Sequence, residues 1–273
     1  MKILIIGSGY VGLVTGVCLS EKGHQVVCFE KSRLKVEEIK SGNPIIYEKG
    51  LKKILSNNLR KKKFIITNDK KFAMNFADVV FVCVGTPSKN GKIDYSYLDS
   101  AIKDIIDERK NKNYLSVIIK STVLPGTTSI RAKKIFEKNK KFKLGKNLGL
   151  GMNPEFLREG GAVKDFMFPD RIVMGSEDKI TKKKLDLIYS KFNTKKIFMN
   201  TKTAEITKYF NNSILASLMS LVNEFSNLSS KSKNINFKKV LEGLKSDKRW
   251  LSNKNKIPEI LNYFVPGPGY GGS

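Results

Sequence analysis

The segment that most restricts the fold of this chain is the apolar run Lys2–Ile6 followed by Gly7-x-Gly9-x-x-Gly12 and a helical pattern to about Gly23. Glycines at this spacing between a strand and a helix have separate tasks. Gly7 permits the tight bend, Gly9 lets backbone approach a pyrophosphate, and Gly12 allows the helix to pack close to the strand. The helix N-terminus then offers unpaired amide hydrogens to phosphate oxygens. The glycine spacing alone is a weak signal, but here a second apolar run, Gln25–Glu30, follows and ends in a carboxylate. A carboxylate at that strand end binds the adenosine ribose hydroxyls and repels a 2′-phosphate, so the pattern predicts a dinucleotide site preferring NAD to NADP. Lys31, Arg33 and Lys35 lie close by and pull slightly the other way.

The same rhythm continues. Ser32 is placed to cap a helix to about Ser41, a polar helix is expected over Glu48–Arg60, and Phe64–Thr67 reads as a strand. Val79–Val84 is nearly all apolar, as in a parallel strand covered on both faces. Helix Tyr95–Glu108, strand Leu115–Lys120, helix Thr127–Lys138 and strand Leu148–Met152 follow. Strands Arg171–Gly175 and Lys196–Met199, separated by helix Thr181–Phe192, complete the series. The alternation predicts an α/β fold, a Rossmann-type doubly wound parallel sheet over residues 1–200. From Thr201 the period changes. Ile206, Phe210, Ile214, Leu218, Leu221, Phe225 and Leu228 recur at helical steps to about Ser230, and a second helix is expected over Phe237–Leu244, giving a helical segment 201–273.

A formal charge of +26 invites a nucleic-acid reading. Only seven of the 51 cationic residues are arginine, however, and the lysines are scattered over nearly every expected helix and loop. Phosphate clamping and base readout lean on arginine, so a solvated lysine-rich surface is the better reading, with neither nucleic acid nor membrane as partner. Met1–Ser20 starts as a signal peptide does, but Gly7, Gly9 and Gly12 break the apolar run and no small-residue cleavage site follows. Cys18, Cys28 and Cys83 have neither metal-ligand nor disulfide spacing, which points to the reducing cytoplasm and to no metal.

Further segments carry chemistry only in combination. Val84-Gly85-Thr86-Pro87 and Ser121-Thr122-Val123-Leu124-Pro125-Gly126-Thr127 each follow a strand, where ligands of open α/β sheets bind, though either alone reads equally as a turn. Asn153-Pro154-Glu155-Phe156-Leu157-Arg158-Glu159-Gly160 also follows a strand, and a helical turn there would put Glu155 and Glu159 on one face. Lys208 and Asn212 are four apart on the long helix, on one face with Glu205; in isolation they read as a solvated face.

Taken in order, these segments resemble the UDP-glucose/GDP-mannose dehydrogenase family, whose members oxidise a nucleotide-sugar alcohol twice to a uronic acid. The resemblance runs the whole chain: GSGYVGLVTGVCLSEKGHQVVCFE, GNPIIYEKGL, VGTPS, STVLPGTT, NPEFLREG, DRIVMGS, AEITKYFNNS, NEF at 223–225 and the final GPGYGGS. It implies that Gly7, Gly9, Tyr10, Val11, Gly12, Glu30, Lys35, Thr86, Thr122 and Glu159 contact NAD. It implies that Glu155, Phe156, Leu157, Arg158 and Glu159 contact the sugar nucleotide. Lys208 and Asn212 would hold the reacting hydroxyl and its oxyanion, with Thr122 and Glu159 beside them in the catalytic set. Tyr263, Phe264, Val265, Pro266, Gly267 and Gly271 would form the loop around the sugar phosphate, and the Arg249 region resembles the family's substrate arginine at a longer spacing. The implied substrate is UDP-glucose, with UDP-N-acetylmannosamine and GDP-mannose as alternatives, and the implied assembly is a homodimer through the long helix.

The family pattern continues GGSC-x-P-K-D, with that cysteine as nucleophile of the second oxidation, whereas this sequence stops at Ser273. The expectation is an incomplete form lacking the nucleophile and the C-terminal domain, one that binds NAD but forms no uronic acid. A β-hydroxyacid dehydrogenase shares the fold and a Lys/Asn helix, but it leaves NPEFLREG and GPGYGGS unexplained. An inactive NAD-binding module is the rival from outside the enzymes.

Overall fold

The computed structural model describes residues 1–111 and 113–247. Strand β1 (Lys2–Ile6) passes through the glycine turn into α1 (Tyr10–Glu21) and β2 (Gln25–Phe29). Next come α2 (Arg33–Lys40), capped by the Ser32 side chain, α3 (Leu51–Arg60) and β3 (Phe64–Thr67). Helix α4 (Lys70–Phe76), capped by Asp69, leads to β4 (Val79–Val82) and to a small hairpin, β5 (Ser88–Lys89) and β6 (Lys92–Ile93). Helix α5 (Ser96–Glu108) and β7 (Leu115–Ile119) precede a π-helical stretch, Thr127–Ala132, continued by α6 (Lys133–Glu137). Then follow β8 (Leu148–Met152), α7 (Ala162–Met167), β9 (Arg171–Ser176), α8 (Lys179–Ile188) and β10 (Lys195–Met199). The long α9 (Thr201–Lys231) and α10 (Phe237–Lys245) close the described chain.

Eight strands form one sheet in the order β10-β9-β8-β7-β4-β1-β2-β3. β1 lies between β4 and β2, with Ile3 opposite both Val26 and Val79, and the strand order turns round there. The carboxyl ends of β1 and β4 therefore flank the crevice in which such sheets bind ligands. Ile3 and Ile5 pack beneath Leu13, Val14 and Val17 of α1, while Leu4 and Ile6 pack on the other face with Met74, Ile102 and Ile105. Burial on both faces explains the unbroken apolar runs, each such side chain contributing about 1.5–3 kcal/mol.

The structure departs from expectation in several places. β9 runs antiparallel to β8, so only six strands share one direction, with β9 and β10 reversed. The return from β8 passes through the short α7, and an antiparallel neighbour needs no full crossover helix. α3 starts at Leu51 because Gly50, at φ 87°, turns the chain left-handed, which draws Glu48 inward and off the helix. α8 begins at Lys179, where the Asp178 side chain accepts the Thr181 amide. α4, α7 and the hairpin are too short for periodicity to show.

The chain divides into two compact units, Met1–Lys208 and Tyr209–Ser273. In the second, Val222 is buried among Leu218, Phe237 and Leu241, while Leu221, Phe225 and Leu228 remain exposed. Among the described residues no helix is long and apolar enough to cross a membrane.

Candidate active site

The three glycines of the turn differ in their surroundings. Gly7 has φ 98°, and a Cβ there would meet the Cys83 carbonyl oxygen at 2.8 Å. A Cβ on Gly12 would lie 2.0 Å from the Gly7 carbonyl oxygen, which leaves no room for a side chain. A Cβ on Gly9 would meet nothing within 4 Å, so that face of its backbone is open to a ligand. Glu30 reaches back to this turn. Its Oε2 accepts from the Ser8 amide (3.2 Å) and hydroxyl (2.6 Å), and its Oε1 from the Ser32 amide (3.0 Å). Burial opposes its ionisation, but these hydrogen bonds and the nearby Lys35 prevail and hold the carboxyl below its ordinary range. A carboxylate has about four acceptor positions, so one on Oε1 stays available to a ribose hydroxyl. The open Gly9 backbone and this free acceptor fit a dinucleotide; Val11 is half-buried beside them and Lys35 is exposed.

The turns after β4 and β7 are tied together. Thr86 Oγ1 donates to the Thr122 carbonyl (2.7 Å) and Ser121 Oγ to that of Val84 (2.5 Å). The buried Glu205 of α9 accepts the amides of Gly126 (2.6 Å) and Thr128 (2.7 Å), so the first turns of α9 are anchored on the turn carrying Thr122. Burial raises the Glu205 pKa despite those amides.

Beyond β8 the expected helical turn is absent: residues 153–158 are irregular, and Glu155 and Glu159 do not share a helix face. Instead Glu155 Oε2 accepts the Leu157 amide (2.6 Å), a local bond that competes with helix formation. Its Oε1 pairs with Lys208 Nζ at 2.8 Å, and Lys208 is only 6% exposed. Phe156 lies between Arg171, 4.1 Å from its ring centre, and Lys208, at 5.4 Å. Arg158 is held by Asp165, and Glu159 is exposed.

Asn153 anchors the segment from below. Its Nδ2 donates to the Val173 carbonyl (2.8 Å), and its Oδ1 accepts from Tyr189 (2.5 Å) and Lys120 Nζ (2.9 Å). Burial drives the Lys120 pKa down to about 8, and the charge of Lys208 pushes the same way against Glu155. Residue spacing gave no signal for Lys120 or Glu48.

The first unit thus brings together the glycine turn, Glu30, Thr86, Thr122, Glu155 and Lys208. Asn212 is exposed in the second unit. Tyr263, Phe264, Val265, Pro266, Gly267, Gly271 and the Arg249 region lie outside the described residues. Cys18, Cys28 and Cys83 are buried; burial pushes the thiols of Cys18 and Cys83 up to about 12 and raises that of Cys28 well above its ordinary value. Among the described residues no cluster of three His, Cys, Asp or Glu side chains could hold a metal.

Residues 1–193 match the model of the UDP-glucose/GDP-mannose dehydrogenase family's NAD binding domain, and residues 202–273 match that of its central domain. The whole chain aligns at 36% identity with 60% of a UDP-glucose 6-dehydrogenase of Rhizobium meliloti, and at 35% with 61% of a GDP-mannose 6-dehydrogenase of Pseudomonas aeruginosa. Among solved structures, a UDP-glucose dehydrogenase of Pyrobaculum islandicum superposes with TM-score 0.90 at 33% identity, over all of this chain and 60% of its own. A ternary complex of the P. aeruginosa GDP-mannose dehydrogenase gives 0.87 at 36%, over 91% of this chain and 57% of its own. The chain spans about 60% of the length of these curated relatives.

Proposed function

The chain belongs to the UDP-glucose/GDP-mannose dehydrogenase family and carries its NAD-binding domain, and from that premise we propose that the protein bearing it oxidises a nucleotide sugar at its primary alcohol. The observation that carries the proposal is the Lys208–Glu155 pair, nearly buried beyond the carboxyl ends of the strands. An ammonium fixed in such a place stabilises the negative charge that develops on an alcohol oxygen as hydride departs. Glu155 orients the ammonium, Phe156 limits water around it, and Thr122 sits in the turn anchored to the same helix. Glu159, Leu157, Arg158 and Asn212 are assigned to the sugar nucleotide, as are residues 263–267 and Gly271. NAD, when bound, supplies the hydride acceptor. We take residues 1–200 as the cofactor domain and 201–273 as the helical central segment.

UDP-glucose is our preferred substrate, supported by several UDP-glucose 6-dehydrogenases at 35–38% identity, with GDP-mannose, supported at 35%, and UDP-N-acetylmannosamine as alternatives. A second oxidation to the acid needs a thiolate. The three cysteines here are buried with raised pKa values, so none of them is that nucleophile. We further propose a homodimer through α9, supported by exposed Phe210, Leu221, Phe225 and Leu228, and a cytoplasmic setting, supported by unpaired cysteines.

The test is NADH formation from NAD with UDP-glucose, GDP-mannose, UDP-N-acetylmannosamine or a β-hydroxyacid. NADH should form with a nucleotide sugar, most rapidly with UDP-glucose. NADH with the β-hydroxyacid alone, or none with any compound although NAD binds, would overturn the assignment.

A further inference from the structure

Glu48 is a carboxylate, 5% exposed, that touches both halves of the crevice from outside them. Its Oε1 accepts from the Tyr10 hydroxyl (2.8 Å) and the Gly160 amide (2.7 Å), and its Oε2 from the Ala162 amide (3.0 Å). Tyr10 is the first residue of α1, immediately after Gly9, where a pyrophosphate would settle on backbone amides. Gly160 and Ala162 end the segment that begins at Glu155. Thirty-eight residues separate Glu48 from Tyr10, and 112 separate it from Gly160, so one side chain links two otherwise distant pieces. The Tyr10 hydroxyl also feels this arrangement. Burial raises its pKa, as do Glu48, Glu159 and Glu155, which places the cofactor-side tyrosine in the electrostatic field of the sugar-side carboxylates.

We infer that Glu48 is a positioning residue through which NAD binding orders the 155–162 segment, an inference resting on the assignment of that segment to the nucleotide sugar. Fixing the N-terminus of α1 against a pyrophosphate fixes Tyr10. Tyr10 then holds Glu48, and Glu48 holds the amides of Gly160 and Ala162. A buried carboxylate sharing one oxygen between two donors has little freedom to follow one and release the other. The same link works in reverse: a nucleotide sugar seated on an ordered 155–162 segment tightens the cofactor turn.

The test is amide hydrogen exchange across residues 155–162, with and without NAD, in the unaltered chain, Tyr10→Phe and Glu48→Gln. NAD should slow exchange there about tenfold in the unaltered chain, within the usual span of site-to-site coupling. Tyr10→Phe removes one hydroxyl and leaves Glu48 on its two amides. At an NAD concentration that saturates the variant, as protection of residues 7–12 shows, it should lose most of the response at 155–162. Glu48→Gln should lose the response as well and also exchange faster without NAD. A Glu48 that is merely structural would speed exchange equally in both states and leave the NAD-dependent ratio unchanged. The inference is overturned if NAD protects residues 7–12 but not 155–162, or if Tyr10→Phe keeps the full response. Failure of the nucleotide-sugar assignment would show separately, as no nucleotide sugar binding to a chain whose exchange response to NAD is intact.

Discussion

The cofactor side and the sugar side of this crevice are made of different materials. The cofactor side is mostly backbone, comprising a turn with two packed glycines and one open one, plus a single carboxylate, all within the first thirty residues. The sugar side is mostly side chains drawn from afar: Lys208 meets Glu155 from another element, and Asn153 is braced by Lys120 and Tyr189. Backbone geometry fixed by glycine tolerates little change and recognises phosphate, which many ligands share. Side-chain pairs held by tertiary contacts can be exchanged one at a time, and the proposed function puts substrate choice and charge stabilisation there.

The contrast predicts effects of decreasing size. Lys208→Ala should lower NADH formation by about 10²–10³-fold with NAD affinity nearly unchanged, the scale of losing one transition-state donor. Near-normal turnover in a steady-state assay would return Lys208 to an ordinary ion pair and erase the distinction between the two sides. On the backbone side, Gly9→Ala should keep its melting temperature yet bind NAD at least about tenfold more weakly, whereas Gly12→Ala should lose about 3 kcal/mol of stability through its backbone overlap. Equal behaviour of the two variants in calorimetry and thermal melts would refute their separate roles.

Glu30→Ala should cut the preference for NAD over NADP by about tenfold, within the range for a charged hydrogen bond. Titration calorimetry with both cofactors checks this, and an unaltered chain that binds NADP as tightly as NAD would contradict it. The smallest effect is on pH dependence. Lys120 titrates near pH 8 when folded and near 10.5 when unfolded, so between those values the unfolded chain binds more protons and folding stability gains from rising pH. Lys120→Met lacks that gain. The stability difference between the unaltered chain and the variant should therefore shift in favour of the unaltered chain by about 1 kcal/mol from pH 8 to pH 9, with no shift below pH 7. Urea melts across that range measure it, and a flat difference would mean Lys120 keeps its proton.

The cofactor side was legible because its determinants are local. Glycine spacing, two apolar runs and the position of Glu30 are all properties of adjacent sequence. The sheet was legible for the same reason, except where β9 reverses, since run length carries no direction. The spacing of four between Glu155 and Glu159 suits a helical turn, but it is equally met by an irregular chain whose side chain bonds its own backbone. Glu48 lay within a recognised segment, yet its role needs Gly160, which only folding brings near. Lys120 looked like the polar end of a strand, and only its burial sets it apart.

In the proposed reaction hydride leaves the sugar beside Lys208 and arrives on the cofactor held by the glycine turn. Incubating the protein with NAD and UDP-glucose carrying deuterium at C6, then analysing the reduced cofactor by mass spectrometry, follows that transfer directly. The account predicts deuterium on the reduced cofactor and a slower single turnover than with unlabelled sugar. Reduced cofactor that forms at the same rate and carries no deuterium would contradict it.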